Sequence, residues 1–420
     1  MKILQKFWFK TILFLLLFSC NTKTNQTENQ QEEQQPVYQI EIEQTDSLIT
    51  AEIISNIQQE KKEIVKNWSI FRGNPTLSGY TSASLPDKPK LLWTFPSGAN
   101  TKSSPVVYNQ TVYWSSRRGR IFGVNIEGKK TFDYAMETAV DASPIVFDSV
   151  LYIGRIDGFL CAISLVETKN LSPLLWTFET EGQISASPNR MNFDGREAVI
   201  VGSYDNNLYV IDSRNGQEIN RFPSGYYLNG AVAQSNNFIV YGGCDGWIRV
   251  IDAVAGVQTD SLEVETYIPA SPAMSGNWVY VADHSGNIYE LKLDKGKIAT
   301  SKKIIESQDK DSKFVSVPAV SDKLVYIVSD DRNVYAINRK DGSIAWKYFL
   351  KGNTGESSPV IANDKLLVCT RSGIVSILDA KTGKLLWEYD TGEQIIASPA
   401  VVTGYFYILT FKGTLFCFGK

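Results

Sequence analysis

The chain holds one histidine and five cysteines, and their spacing assembles no catalytic or metal-binding set. His284 precedes Ser285-Gly286 in a turn-like stretch, where a solvated side chain is a simpler reading than a general base. Cys161, Cys244, Cys369 and Cys417 lie far apart with no Cys-x-x-Cys spacing, which reads as free thiols buried on strands. A single histidine cannot build a histidine metal site, and no Ser/His/Asp arrangement repeats around it. Asp330 and Asp331 are adjacent, so their carboxylates diverge and suit a solvated turn better than a calcium site or an acid–base pair. Asp157, Asp205, Asp245 and Asp331 recur at one position of a repeating pattern. Short acidic side chains bond their own backbone in tight turns, whereas a catalytic group is needed only once. These residues describe a chain that is not an enzyme and uses no cofactor and no metal.

The elements around them repeat. One column is a small residue before proline: Ser104-Pro105, Ser143-Pro144, Ser187-Pro188, Ser271-Pro272, Val317-Pro318, Ser358-Pro359 and Ser398-Pro399. The remaining copy is Gly230-Ala231, and with Ala231 as its marker the spacings run from 39 to 46 residues, averaging 42. A second column is a tight turn before alternating apolar residues, as in Asp157-Gly-Phe-Leu-Cys-Ala-Ile and Asp245-Gly-Trp-Ile-Arg-Val-Ile. Asp-Gly between such runs signals a hairpin. A third sets glycine four residues before an aromatic ring: Gly128 with Phe132, Gly342 with Trp346, and Gly383 with Trp387. That ring is expected to cover the outer strand of one blade against its neighbour. Such a period leaves room for four short strands, so the fold expected is all-β: an eight-bladed β-propeller of four-stranded antiparallel blades. After Pro399 only 21 residues remain, enough for three strands. Leu91-Leu-Trp-Thr-Phe95, similar to Leu385-Leu-Trp-Glu-Tyr389, is therefore expected to supply the fourth and remove an open edge.

These columns resemble the pyrroloquinoline-quinone-like β-propeller repeat family. The best copy is Ser358-Pro-Val, Ser372-Gly-Ile-Val-Ser-Ile-Leu-Asp379 and Thr382-Gly-Lys-Leu-Leu-Trp387. Trp68-Ser-Ile-Phe-Arg-Gly-Asn-Pro75 with Gly79 resembles the start of that domain, so the resemblance covers residues 68–420. One branch, the quinoprotein dehydrogenases, implies a bound quinone, a calcium ion and an aspartate base, with adjacent cysteines in many members. No two cysteines are adjacent here, and neither the calcium ligands nor the base map onto any position. The BamB-like branch of outer-membrane lipoproteins implies a non-catalytic scaffold for protein–protein interaction in assembling outer-membrane β-barrel proteins. That is the function expected. The alternatives are a quinone-dependent oxidoreductase and a surface-exposed lipoprotein binding a polymer or glycan.

Lys2, Lys6 and Lys10 precede the apolar run Thr11-Ile-Leu-Phe-Leu-Leu-Leu-Phe18, the pattern of a secretory signal too short to span a bilayer. Leu17-Phe18-Ser19-Cys20 resembles the bacterial lipobox, which implies acylation of the Cys20 sulfur and a lipid anchor in the outer membrane. Either the periplasmic face or the cell surface fits. The expected organisation is a signal peptide over 1–19, a mostly disordered acidic tether over 20–66 and the propeller over 67–420. Leu48, Ala51, Ile54 and Ile57 recur at helical spacing, which predicts one short amphipathic helix over 47–66. The net charge is −3, but residues 21–66 alone carry −5, and the body from Asn67 onward is close to neutral. A neutral body excludes nucleic acid as a partner. The partners expected are the membrane, through Cys20, and an envelope protein such as a β-barrel assembly component.

The linker before the fourth repeat, Phe222-Pro-Ser-Gly-Tyr-Tyr-Leu-Asn229, is rich in apolar residues. Before the eighth, Thr391-Gly-Glu-Gln-Ile-Ile396 sets polar Gln394 in the place read as that of Tyr226. Tyrosines on a rigid rim are favoured anchors, so Tyr226, Tyr227 and Leu228 are the candidate partner-binding residues. The BamB-like resemblance agrees, since it implies that loops of the middle blades on one face bind the partner. The competing reading packs all three over the mouth of the central channel. The anchor has its own test: mass spectrometry should find the mature N-terminus at an acylated Cys20, and Cys20→Ala should release the body into the soluble envelope fraction. An unmodified start downstream of residue 20 would refute it.

Overall fold

A computed structural model describes residues 66–166, 171–306 and 313–420. Cys20, the signal and the tether with its expected helix lie outside them, apart from Lys66. Among the described residues there is no helix, and the strands form eight sheets, one per repeat, each a four-stranded antiparallel blade, with Tyr80–Thr81 adding a fifth, parallel strand beside Val360–Ala362 in blade seven. In blade one the strands run Val106–Tyr108, Thr111–Ser116, Arg120–Asn125 and Lys130–Ala135 from the axis outward. Middle strands such as Leu324–Val328 in blade six are buried throughout, because neighbouring blades cover both their faces. Fourth strands such as Ile344–Phe349 alternate exposed and half-buried residues on the rim. Inner strands of neighbouring blades touch, and Val106–Tyr108 meets Ala400–Val402 where blade one meets blade eight.

Two interblade devices repeat. The first surrounds the axis, where the backbone N–H of each column serine donates to the next serine's hydroxyl. Ser104 donates to Ser143 at 2.8 Å, Ser143 to Ser187 at 3.1 Å, Ser358 to Ser398 at 3.0 Å and Ser398 back to Ser104 at 2.9 Å. The column breaks at Val317, which donates its N–H to Ser358 Oγ but has no hydroxyl to offer blade five. It breaks also in blade four, where the register differs from the one read in the sequence. Ala233 pairs with Val240 as Ala273 pairs with Tyr280, so Val232 holds the proline place and Ala231 the serine place.

The second device is on the rim. Trp346 in blade six donates its indole N–H to the Ala380 carbonyl of blade seven at 3.1 Å, and Trp176 reaches Ser213 likewise at 3.0 Å. The ring of Trp176 lies so close over Gly216 that a Cβ there would fall 2.6 Å from it, and Gly216 sits at φ +74°. Glycine and aromatic ring therefore meet across a blade boundary, not within the blade where their sequence spacing places them. In blade three Asn220 replaces the tryptophan and reaches the Ala253 carbonyl at 2.7 Å.

Closure comes from the N-terminal side. Lys90–Pro96 forms the outer strand of blade eight, with Trp93 opposite Cys417 and Phe95 opposite Leu415, as the sequence predicts. The segment before it does more than the sequence suggests. Trp68 exchanges backbone hydrogen bonds with Val107 of blade one, and the Ser69 carbonyl accepts from Val146 of blade two. Pro75 accepts from the Asn189 side chain of blade three and from the Gln234 backbone of blade four. Carbonyls of Thr76, Ser78, Gly79 and Ser84 then accept N–H groups from blades five, six, seven and eight. One segment thus bonds to all eight blades, seven through their inner strands and blade eight through the turn residue Gly404.

Arg72 is the hub of that segment. Only 1% exposed, it donates Nη2 to the Pro318 carbonyl at 2.9 Å, Nη1 to the Pro359 carbonyl, and Nε to Leu77 at 3.4 Å. Burial lowers its pKa to about 9, so the guanidinium stays charged at neutral pH while three carbonyls replace its water. Gly79 packs against it, and a Cβ at that position would fall 2.1 Å from Nη2. Arg72→Ala should cost about 3 kcal/mol, because buried carbonyls lose charged donors. The denaturant midpoint should fall accordingly, and an unchanged midpoint would show that the arginine is not structural.

Candidate docking face and channel mouth

The N-terminal segment closes one end of the central channel, with Phe71 among the residues lining the cavity that remains. That cavity, about 320 Å³, opens on the opposite face. Each blade contributes to its rim the residue two before the serine place, Lys102, Asp141, Ser185 and Asn229 for blades one to four. Pro269, Val315, Glu356 and Ile396 complete the rim for blades five to eight. Asp141 is held by Arg117 at 3.0 Å and by Lys102 at 3.7 Å.

The linkers beside this rim carry the predicted residues, and the structure divides them. Tyr226 and Tyr227 are 49% and 41% exposed, 4.5 Å apart between ring centroids. Tyr227 stacks on Tyr204 of blade three at 5.1 Å with nearly parallel planes. Neither Tyr226 nor Tyr227 lines the channel cavity, although Tyr204 does. Leu228 is a correction: it is buried in the core between blades three and four and packs on Gly202. The reason is positional. Leu228 shares its place with Val140, Ile184, Ile268, Phe314 and Ile395, all buried, three residues before the serine place. With the corrected register, Gln394 matches Tyr227 and not Tyr226.

The same place in the next linker holds Tyr267, 40% exposed and stacked on His284 at 4.3 Å. His284 is half-buried there, and burial, with Lys313 nearby, lowers its pKa. Sequence reasoning missed Tyr267, yet its distance from Ser271 equals that of Tyr227 from Ala231 and would have found it. Tyr204, Tyr226, Tyr227, Tyr267 and His284 make an aromatic arc across blades three to five. The acidic turn residues behave as read: Asp205 and Asp331 accept the N–H groups of Asn207 and Asn333 at 3.0 and 2.9 Å. Burial raises the pKa of Asp330. Cys161, Cys369 and Cys417 are buried free thiols, while Cys244 is half-buried beside Asn229.

A quinone-and-calcium site asks for a cluster of oxygen donors around a hard cation. Among the described residues no group of three or more His, Cys, Asp or Glu side chains stands together. At the channel mouth the best-placed carboxylate, Asp141, already faces Lys102 and Arg117, whose charges repel a divalent ion. The donors do not fit that group. The division within the linker gives a test: Leu228→Ala should cost about 2–5 kcal/mol of stability. Tyr226→Ala should leave the melting temperature nearly unchanged, and equal losses for both would contradict the division.

The family described as outer membrane protein assembly factor BamB matches residues 82–226 and 244–420. No curated protein sequence matches the chain. Among solved structures, BamB from Moraxella catarrhalis is similar at a TM-score of 0.66 and 17% identity, over 79% of this chain and 100% of that one. A europium-containing methanol dehydrogenase is similar at 0.71 and 13% identity, over 87% of this chain and 100% of that one. The quinohemoprotein alcohol dehydrogenase of Comamonas testosteroni follows at 0.69 and 12%, over 87% of this chain and 82% of that one. At such identities these likenesses show the fold alone. The family match spans most of the chain, and the chain belongs to the outer membrane protein assembly factor BamB family.

Proposed function

We propose that this protein is a non-catalytic scaffold, anchored in the outer membrane through Cys20, that docks an envelope protein during the assembly of outer-membrane β-barrel proteins. The observation carrying this reading is the aromatic arc, with Tyr226, Tyr227 and Tyr267 exposed on linkers held by a closed ring. A soluble surface seldom displays such a cluster without a partner to cover it. Tyrosine suits the task because it offers a large contact area with few rotatable bonds. Leu228, buried beneath, positions the pair and does not itself meet the partner. Among the described residues no group of three His, Cys, Asp or Glu side chains could hold a metal ion, which supports a scaffold over an oxidoreductase.

Crosslinking from Tyr226 in intact cells, with the captured protein identified, tests the reading. A β-barrel assembly component should be captured, and Tyr226→Ala with Tyr227→Ala should cut its recovery at least about tenfold, as expected when two hot-spot side chains are lost. Dye reduction by purified protein given quinone and calcium would overturn the reading. So would unchanged recovery by the double variant.

A further inference from the structure

The serine collar leaves hydrogen-bond donors unused around the axis. The hydroxyl oxygens of Ser104, Ser143 and Ser398 each accept a neighbouring backbone N–H. An oxygen engaged in that way still carries one proton to donate. None of the three gives it to an acceptor among the described residues, and all three are buried side chains lining the channel cavity. Acceptors stand on the rim above them. Asn229 donates its amide N–H to Cys244 Sγ at 2.9 Å, which leaves its amide oxygen to accept. Asp141 and Glu356 add carboxylates. The charges cancel. Lys102, the cation lining the mouth, faces Asp141 at 3.7 Å, and Arg117 holds Asp141 at 3.0 Å from outside the cavity. An anion therefore meets two carboxylates and a cation meets two bases, so the site suits an uncharged ligand.

We infer that the channel mouth binds a neutral sugar. A hydroxyl both donates and accepts, so a ring of hydroxyls uses the serine protons and the amide and carboxylate oxygens of the rim together. The C–H face of such a ring rests on the apolar sector formed by Pro269, Val315 and Ile396. A cavity of about 320 Å³ lies at the small end for ligand pockets, which begin near roughly 300 Å³, and so takes a short saccharide. The site is separate from the docking tyrosines, since neither Tyr226 nor Tyr227 lines it.

Titration calorimetry of the full chain tests this with glucose, galactose and mannose, and with glucuronate and glucosamine as charged forms of the same ring. At least one neutral hexose should bind one to one. Glucuronate and glucosamine should bind at least about tenfold more weakly than the best hexose, a difference of about 1.4 kcal/mol. Val315→Trp, which sets a large ring across the mouth, should abolish binding. Lys102→Ala removes a charged donor from a half-exposed position and should weaken binding at least about fivefold. Unchanged melting temperatures check that the ring is intact in both variants, and Tyr226→Ala with Tyr227→Ala should leave the affinity as it was. The proposal fails if none of the three hexoses binds, if glucuronate or glucosamine binds as tightly as the best of them, or if either channel variant leaves the affinity unchanged.

Discussion

The ring holds because one segment of chain hydrogen-bonds to every blade before it supplies the last outer strand. A propeller blade is a small sheet with two open edges, and a chain of such blades meets itself only where first and last sheets touch. Here that meeting is secured twice. Lys90–Pro96 pairs with Thr414–Gly419 at the rim, and the stretch from Trp68 to Ser84 binds the blades at the axis. The cost is a buried guanidinium, offset by three backbone carbonyls that would otherwise lack donors. Such a charge needs no carboxylate partner when carbonyl dipoles converge on it.

The interblade devices are uneven around the ring. Tryptophans clamp blade two to three, six to seven and eight to one, through Ser213, Ala380 and Ile126. Between blades three and four Asn220 takes that role, and Ala231 and Val317 interrupt the serine collar. The exposed aromatic arc lies across blades three to five, beside the break in the collar at Ala231. A repeat that departs from its own pattern has been freed from a packing duty, which leaves its side chains available for another.

Charge and chemistry agree with a surface-based role. The propeller body is nearly neutral, and its ion pairs are mostly local and half-exposed, so they contribute little to stability. Asp205, Asp245 and Asp331 are committed to backbone N–H groups two residues on, which explains their recurrence from blade to blade, while Asp157 pairs with Arg155. Affinity for a protein partner would then rest on the aromatic rings and the shape of the rim.

Much of the fold was legible in the residues. The serine–proline and Asp-Gly columns recur at one period, and local turn chemistry with alternating burial needs nothing beyond neighbours in sequence, so blade number, strand number and the closing strand followed. That Tyr226 and Tyr227 stand on a linker between blades was legible for the same reason, and the structure adds that both are exposed. Tertiary structure alone decided the rest. A one-residue shift in blade four, invisible without its missing proline, moved Leu228 into the core and brought Tyr267 into line with Tyr227. The tryptophan column could be seen, but not that Trp93, Trp176 and Trp346 each lie on a glycine of the next blade. Residues 68 to 84 have no period at all, because the segment meets the eight blades in turn and its environment is set by the closed ring.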